Sequence, residues 1–269
     1  MGKVSAEKTI RALVKSNVET YATTFSERHI SEIDNPNGTI NMKIHNVFIA
    51  ALGEETQYYT ALVRSLDSSL GNMLESLAMN IAKLFYEVHR KVEGPLGIKQ
   101  MQQIAELLEE YKRRVREPST TDYQNLREKP PSKNLVNKRH ESDYYLIDPE
   151  TKEHYLIELK IGGDLDNKKA RSEKEAILEQ YAILSNTLSP KRIIKIFFAT
   201  AYNRYGEGKP WKQSRVRQYF ADDELLIGKD FWNFICKTHK GYDFVLDEYR
   251  KNAYLIKNAL ESIKETYLG

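Results

Sequence analysis

The chain has 269 residues, 41% of them hydrophobic and 29% charged, with a formal net charge of +3. This is the balance of a soluble globular protein with room for one large domain, or a core with a helical extension. With so small a net charge, any nucleic-acid surface must be a local patch and not a global field. The single cysteine, Cys236, excludes an intramolecular disulfide and a cysteine zinc cluster, and its apolar neighbours (Phe-Trp-Asn-Phe-Ile-Cys) place it in the core. There is no run of about 18 apolar residues. The start lacks a signal-peptide h-region, so a cytoplasmic protein without a membrane partner is expected.

Along the chain, the first 117 residues read as mostly helical, with a turn at Asn35-Pro-Asn-Gly38. Met73, Leu74, Leu77, Ile81, Leu84, Phe85 and Val88 recur at helical spacing and predict a helix from Asn72 to His89. Glu75 falls beside that stripe. Met101, Ile104, Leu107, Leu108 and Tyr111 mark the next helix. Residues 112–139 carry Pro118, Pro130 and Pro131, and nine Lys or Arg against three acids. They read as a solvated linker or as a DNA-contacting arm ending in Lys138 and Arg139. The expected organisation is a helical part, 1–117, and a core with C-terminal helices, 118–269, forming one unit.

The stretch Asp143-Tyr-Tyr-Leu-Ile-Asp-Pro-Glu-Thr-Lys-Glu-His-Tyr-Leu-Ile-Glu158-Leu-Lys160 sets charges into two apolar, aromatic and β-branched runs. A charge buried in a strand costs several kcal/mol unless it is paired or bound to metal. Asp-Pro-Glu-Thr-Lys between the runs is turn material. With Pro149 to Lys152 as a four-residue loop, Asp148 pairs with Glu153 and Asp143 falls opposite Glu158. Directly opposed residues lie about 4.5–5.5 Å apart at Cβ, and Lys160 shares the face of Glu158. Two carboxylates and a lysine on one face are the constellation of Mg²⁺-dependent phosphodiester hydrolysis, although a plain Lys160–Glu158 ion pair remains open.

A helix follows from about Lys168 to Leu184, with Ala170, Ile177, Leu178, Tyr181 and Leu184 as its buried stripe. Lys168, Lys169, Arg171 and Lys174 crowd its first turns against the helix dipole. They form either an anion site at the helix start or a solvated face. Arg192 to Thr200 reads as a third strand, so the strand–helix–strand order implies a right-handed crossover and a mixed sheet flanked by helices, an α/β fold of the α+β kind. Tyr202 to Arg217 holds five basic residues, one acid and three aromatics. It is the candidate base-reading loop, with Arg204, Lys212, Arg215 and Arg217 as contacts, or an ordinary basic loop. From about Leu225 the chain returns to helix, with Phe231, Trp232, Phe234 and Ile235 as an apolar cluster. Tyr254, Leu255, Ala259, Ile263 and Tyr267 could dock back or join a dimer surface. The six histidines have no metal-ligand spacing. Gly206-Glu-Gly-Lys-Pro210 lacks the pattern of a phosphate loop, so ATP use is not expected.

Asp143 followed by Glu158-Leu-Lys160 resembles the PD-(D/E)XK nuclease signature, with Ser142 where the proline would stand. The continuation from Ile161-Gly-Gly-Asp-Leu-Asp to Glu-Gln-Tyr181 is similar to type II restriction endonucleases of the TdeIII type. The resemblance covers residues 72–90 and 140–185 best. It implies a restriction-endonuclease-like core, with Asp143, Glu158 and the Leu159 carbonyl holding Mg²⁺ (Mn²⁺ as substitute), Lys160 assisting catalysis, and Glu75 as an extra carboxylate. It further implies a homodimer on a short, near-palindromic double-stranded site of the GGNCC kind, 5′-phosphate ends, and a cognate DNA methyltransferase as genetic partner. A structure-directed nuclease, a non-catalytic DNA-binding module and a metal enzyme for small phosphate esters stay as alternatives.

Overall fold

In the computed structural model the described residues are 3–127 and 134–269. Pro130, Pro131 and the rest of 128–133, the middle of the expected basic arm, lie outside them. The chain divides into two compact units, one of residues 1–80 with 243–269 and one of residues 81–242. Among the described residues no helix is long and apolar enough to cross a membrane.

The first unit is helical. Helix α1 (Lys3–Ser31) buries Ile10, Val14, Val18 and Phe25, a stripe at steps of four and seven. A 3₁₀ turn (Asn41–His45) and the short α2 (Val47–Ala50) lead into α3 (Glu54–Ala82), and the unit closes with the length of α8 (Gly241–Leu268) beyond Tyr242. Tyr21 Oη lies 2.9 Å from Ser69 Oγ, binding α1 to α3. Tyr267 Oη donates to the His29 carbonyl at 2.9 Å, so the C-terminal helix docks back onto α1.

The second unit is built on a five-stranded mixed sheet in the order β1 (Glu87–Gly97), β2 (Leu135–Ile147), β3 (His154–Leu159), β4 (Ile194–Thr200) and β5 (Leu225–Ile227). The first three strands are antiparallel neighbours, and β3, β4 and β5 run parallel. Helix α5 (Asn167–Thr187) makes the crossover from β3 to β4 and packs on the sheet beside α4 (Ile98–Lys112). Its expected stripe, Ala170, Ile177, Leu178, Tyr181 and Leu184, is buried against Leu156, Ile196 and Phe198 of the sheet. The opposite sheet face carries Tyr155 and Phe197. These pack with Tyr86 and with Phe234 of α7 (Lys229–Ile235), which follows the short α6 (Ser214–Arg217), and Cys236 is buried just after α7.

Three sequence expectations need correction. The helix expected at Asn72–His89 starts at Glu54 and stops at Ala82, and Glu87 to Gly97 is an edge strand. Val88, Val92 and Leu96 recur every four residues and imitate a helix, but pairing with β2 decides their conformation. Pro95 is tolerated because β1 lies at the sheet edge. Lys138 and Arg139 belong to β2, paired with Gly94 and Glu93, and not to a free arm. Leu225 to Ile227 add a fifth strand beside β4, too short to show a period.

Within the second unit, Lys174 and Glu224 form an ion pair with neither side chain exposed. The Lys174 ammonium donates to both Glu224 oxygens, at 2.6 and 2.7 Å, and lies over the rings of Phe220 and Tyr123. Tyr123 Oη and the Ala221 amide also donate to Glu224, at 2.8 Å each. Burial pulls the Lys174 pKa down against the opposing pull of Glu224. Removing the lysine alone would strand a buried carboxylate, so Lys174→Ala is expected to cost about 3–5 kcal/mol of stability in urea unfolding. The double change Lys174→Met/Glu224→Leu, which leaves no buried charge, is expected to cost less than the single one.

Candidate active site

The β2–β3 hairpin positions the acidic cluster. The pairs Tyr144↔Ile157, Tyr145↔Leu156, Leu146↔Tyr155 and Ile147↔His154 reproduce the register read from the sequence. The Asp148 amide donates to the Glu153 carbonyl at 2.9 Å, and Lys152 N donates back to Asp148 O. The Asp148 side chain fixes the turn by accepting from the Glu150 and Thr151 amides and by pairing with Lys237 at 2.7 Å.

At the other end of the hairpin β2 is irregular. His89 pairs with Tyr145 and Lys91 with Glu141, so Ser142, Asp143 and Tyr144 together face Arg90 alone. Such bulges bend a strand and re-aim its side chains. Asp143 Oδ2 accepts from the Leu159 amide at 3.0 Å. The carbonyl of a strand residue points to the same side as its N–H, so Leu159 offers its oxygen toward Asp143.

Glu158 and Lys160 follow on the sheet face that α5 covers, at the carboxyl end of β3. The Lys160 ammonium donates to Glu158 Oε1 and lies 3.2 Å from Glu173 and 3.9 Å from Asp143. The structure therefore brings Asp143, Glu158 and Lys160 together and adds Glu173 from α5, which was not among the residues singled out from the sequence. Its signal was its place in the helical stripe, three residues after Ala170 and four before Ile177.

Three carboxylates face one ammonium. Burial, then the Asp143 charge, pushes the Glu158 carboxyl up to about 8 against the opposing pull of Lys160. Burial pulls Lys160 down, but the charge and hydrogen bond of Glu158 outweigh it and hold the ammonium above its usual range. This excess of negative charge suits a cation. Among the described residues no three His, Cys, Asp or Glu are gathered to hold a metal ion. A metal here would rest on two carboxylates and a main-chain oxygen.

After Lys160 the chain turns through Gly163, which is buried with φ +65°. A Cβ there would lie 2.6 Å from Thr200 and 3.0 Å from Trp211. Asp164 next accepts from Gln213 at 2.9 Å and pairs with Arg204 at 2.8 Å, fastening the 202–213 segment to this exit loop.

The remaining basic residues are dispersed. Lys168 and Lys169 are exposed, and the first turn of α5 is capped by Asp166, whose side chain accepts from the Lys169 amide at 2.8 Å. Arg171 reaches Glu109 at 3.8 Å, and Lys138 donates to Glu179 at 2.7 Å. Lys174, counted among the DNA contacts by sequence, is fully buried and presents no charge to solvent. Arg139, Lys212 and Arg215 are exposed, and Arg217 pairs with Asp222. Arg114, Arg116, Lys212 and Arg217 converge on one cavity of about 520 Å³ whose only acid among the described residues is Glu117, so parts of the two basic stretches meet. Glu75 is an exposed residue of α3, in the other unit.

The family model for the type II restriction endonuclease HinfI matches residues 6–253, all but the first five and last sixteen residues. The class is thus a type II site-specific deoxyribonuclease, an enzyme of double-stranded DNA. The chain belongs to the HinfI family of restriction endonucleases. No curated protein and no solved structure matches it.

The charge balance has a thermodynamic signature. Between its ordinary value of 4.5 and about 8, Glu158 keeps a proton in the fold that the unfolded chain has released. The stability this gives is full at low pH and is lost as pH rises through about 8. Glu158→Gln cannot ionise, so its melting temperature is expected to gain on the wild type from about pH 5 to about pH 9 in metal-free buffer. Differential scanning calorimetry checks this, and a constant difference across the range would contradict it.

Proposed function

We propose that this restriction endonuclease hydrolyses DNA at the Asp143–Glu158–Lys160 cluster with Mg²⁺, the cofactor that type II enzymes generally use. The observation that carries the reading is the convergence of these three side chains at the carboxyl end of β3, with negative charge in excess. Asp143, Glu158 and the Leu159 carbonyl would hold the ion, hard oxygen donors of the kind Mg²⁺ prefers. The bound ion would supply charge neutralisation and a more acidic water.

Lys160 is held as an ammonium, so its part is to orient the attacking water and to stabilise the charge gathering on the phosphoryl oxygens. Glu173 shares that ammonium and keeps its orientation. Asp143, tied to the Leu159 amide, holds the two strands at the spacing the ion requires. Glu75, the extra carboxylate that the resemblance implies, belongs to the other unit.

DNA contact is assigned to the exposed Arg139, Lys168, Lys169, Lys212 and Arg215, with Arg204 and Arg217 exchanging Asp164 and Asp222 for phosphate. Lys138 and Arg171 are weaker contacts, since Glu179 and Glu109 already draw on their charge. Two-fold symmetry in a short, near-palindromic site calls for a homodimer. Each subunit would cut one strand and leave a 5′-phosphate, and a methyltransferase would protect the host site. The TdeIII resemblance implies a GGNCC sequence.

Digestion of a defined plasmid tests the whole reading. Mg²⁺ is expected to give discrete fragments, EDTA none, and Glu158→Ala or Lys160→Ala at least about 100-fold slower cutting. Sequenced fragment ends then give the bases. Undiminished cutting by Glu158→Ala would place the chemistry elsewhere.

A further inference from the structure

The helical unit holds a basic cavity of about 600 Å³, with no acid among the described residues that line it. Three elements build it. Arg28 enters from α1 and Lys43 from the 3₁₀ turn, while Arg64, Ser65, Ser68 and Asn72 come from α3. Steps of three and four set these last residues on one helix face. Arg28, Lys43 and Arg64 form no ion pair among the described residues. The Glu32 carboxylate, close by, accepts from the Thr39 amide at 2.7 Å and does not line the cavity.

Buried His29 holds one of these cations in place. Arg28 Nη2 lies 2.9 Å from His29 Nε2 and donates to Ser65 Oγ, which is 3.0 Å from the same ring nitrogen. A guanidinium only donates, so His29 Nε2 accepts and the ring proton sits on Nδ1. Burial, then the Arg28 charge, pulls the His29 pKa down, so the imidazole stays neutral. His29 therefore orients Arg28 without neutralising it. Three like charges gathered in this way repel one another until a counter-charge joins them. The side chains of Lys43, Arg64, Ser68 and Asn72 also make no hydrogen bond among the described residues, so the cavity presents spare donors as well as charge.

A group with several acceptor oxygens and more than one negative charge satisfies both. Phosphate fits, because a guanidinium fork matches its oxygens and an ammonium neutralises its charge. No aromatic ring lines the cavity among the described residues, so it offers a base no stacking platform. We propose that this cavity is a phosphate site, filled either by a backbone phosphate of DNA or by a free phosphate. The DNA source rests on the nuclease reading, and the free source does not.

Two probes distinguish the sources: pyrophosphate by isothermal titration calorimetry, and a fluorescein-labelled DNA duplex by anisotropy in EDTA. The cavity variants are Lys43→Gln combined with Arg64→Gln, and Ser68→Asp, which sets a carboxylate among the cations. These positions are exposed or half-exposed, and circular dichroism verifies folding. Lys257→Gln combined with Lys264→Gln removes the same charge from exposed positions of α8 and serves as the control. For whichever probe the wild type binds in the cavity, both cavity variants are expected to bind about tenfold or more weakly, and the control as the wild type does. With DNA, the plot of log K against log salt is expected to be shallower by about one to two in the Lys43→Gln/Arg64→Gln protein. Loss of pyrophosphate binding assigns a free phosphate, and loss with DNA alone assigns the backbone. The proposal is overturned if the wild type binds neither probe, if either folded cavity variant binds both probes as the wild type does, or if the control loses as much. Plasmid digestion separates the two readings. Cavity variants that bind and cut as the wild type does would remove the site and leave the nuclease reading intact. A wild type that binds pyrophosphate in the cavity but cuts no DNA would keep the site and remove that reading.

Discussion

The register of the β2–β3 hairpin is the constraint on which the site depends. It is set by Asp148, whose side chain accepts two amides of its own turn and is held by Lys237. Side chains alternate between the faces of a strand, so a slip of one residue would carry Asp143 away from Glu158 and Lys160. A buried carboxylate paired with Lys237 at the far end of the hairpin thus fixes which charges meet at the site. The bulge at Ser142–Tyr144 then adjusts Asp143 without disturbing the pairs below it.

The cluster that results is poorly balanced as a piece of fold. Glu158 is almost wholly buried, with two other carboxylates near the same lysine, and its raised pKa expresses that conflict. A protein selected for stability alone would gain from removing the charge. The buried pair Lys174–Glu224, on the same helix as Glu173, shows the other solution. There each Glu224 oxygen accepts two hydrogen bonds, and the charge serves the core. One helix therefore carries, at adjacent positions, a charge with a partner of its own and a charge that shares one ammonium with two other carboxylates.

The hairpin was legible in the sequence because turn chemistry and a period of two agreed, and its register followed from counting outward from the turn. Helix α5 was legible for the same kind of reason, its buried stripe being continuous. What escaped reading was decided by partners distant in the chain. Val88, Val92 and Leu96 are compatible with either period, and only β2 makes them a strand. Lys174 resembled its exposed neighbours, because nothing local signals Glu224, fifty residues away. Glu173 was hidden by the same basic surroundings, although its position within the apolar stripe distinguished it. The distribution of the Tyr202–Arg217 charges could not be read either, since Asp164 and Asp222 claim two of its arginines through space.

Asp164 has a consequence for how such a protein can change over evolutionary time. The loop that leaves Lys160 and the segment beginning at Tyr202 are joined through this one carboxylate, with Gly163 packed beneath against Thr200 and Trp211. The two segments are far apart in the chain but form one structural piece. Neither can be remodelled freely while the other is kept, because a change in one strands the polar partner in the other.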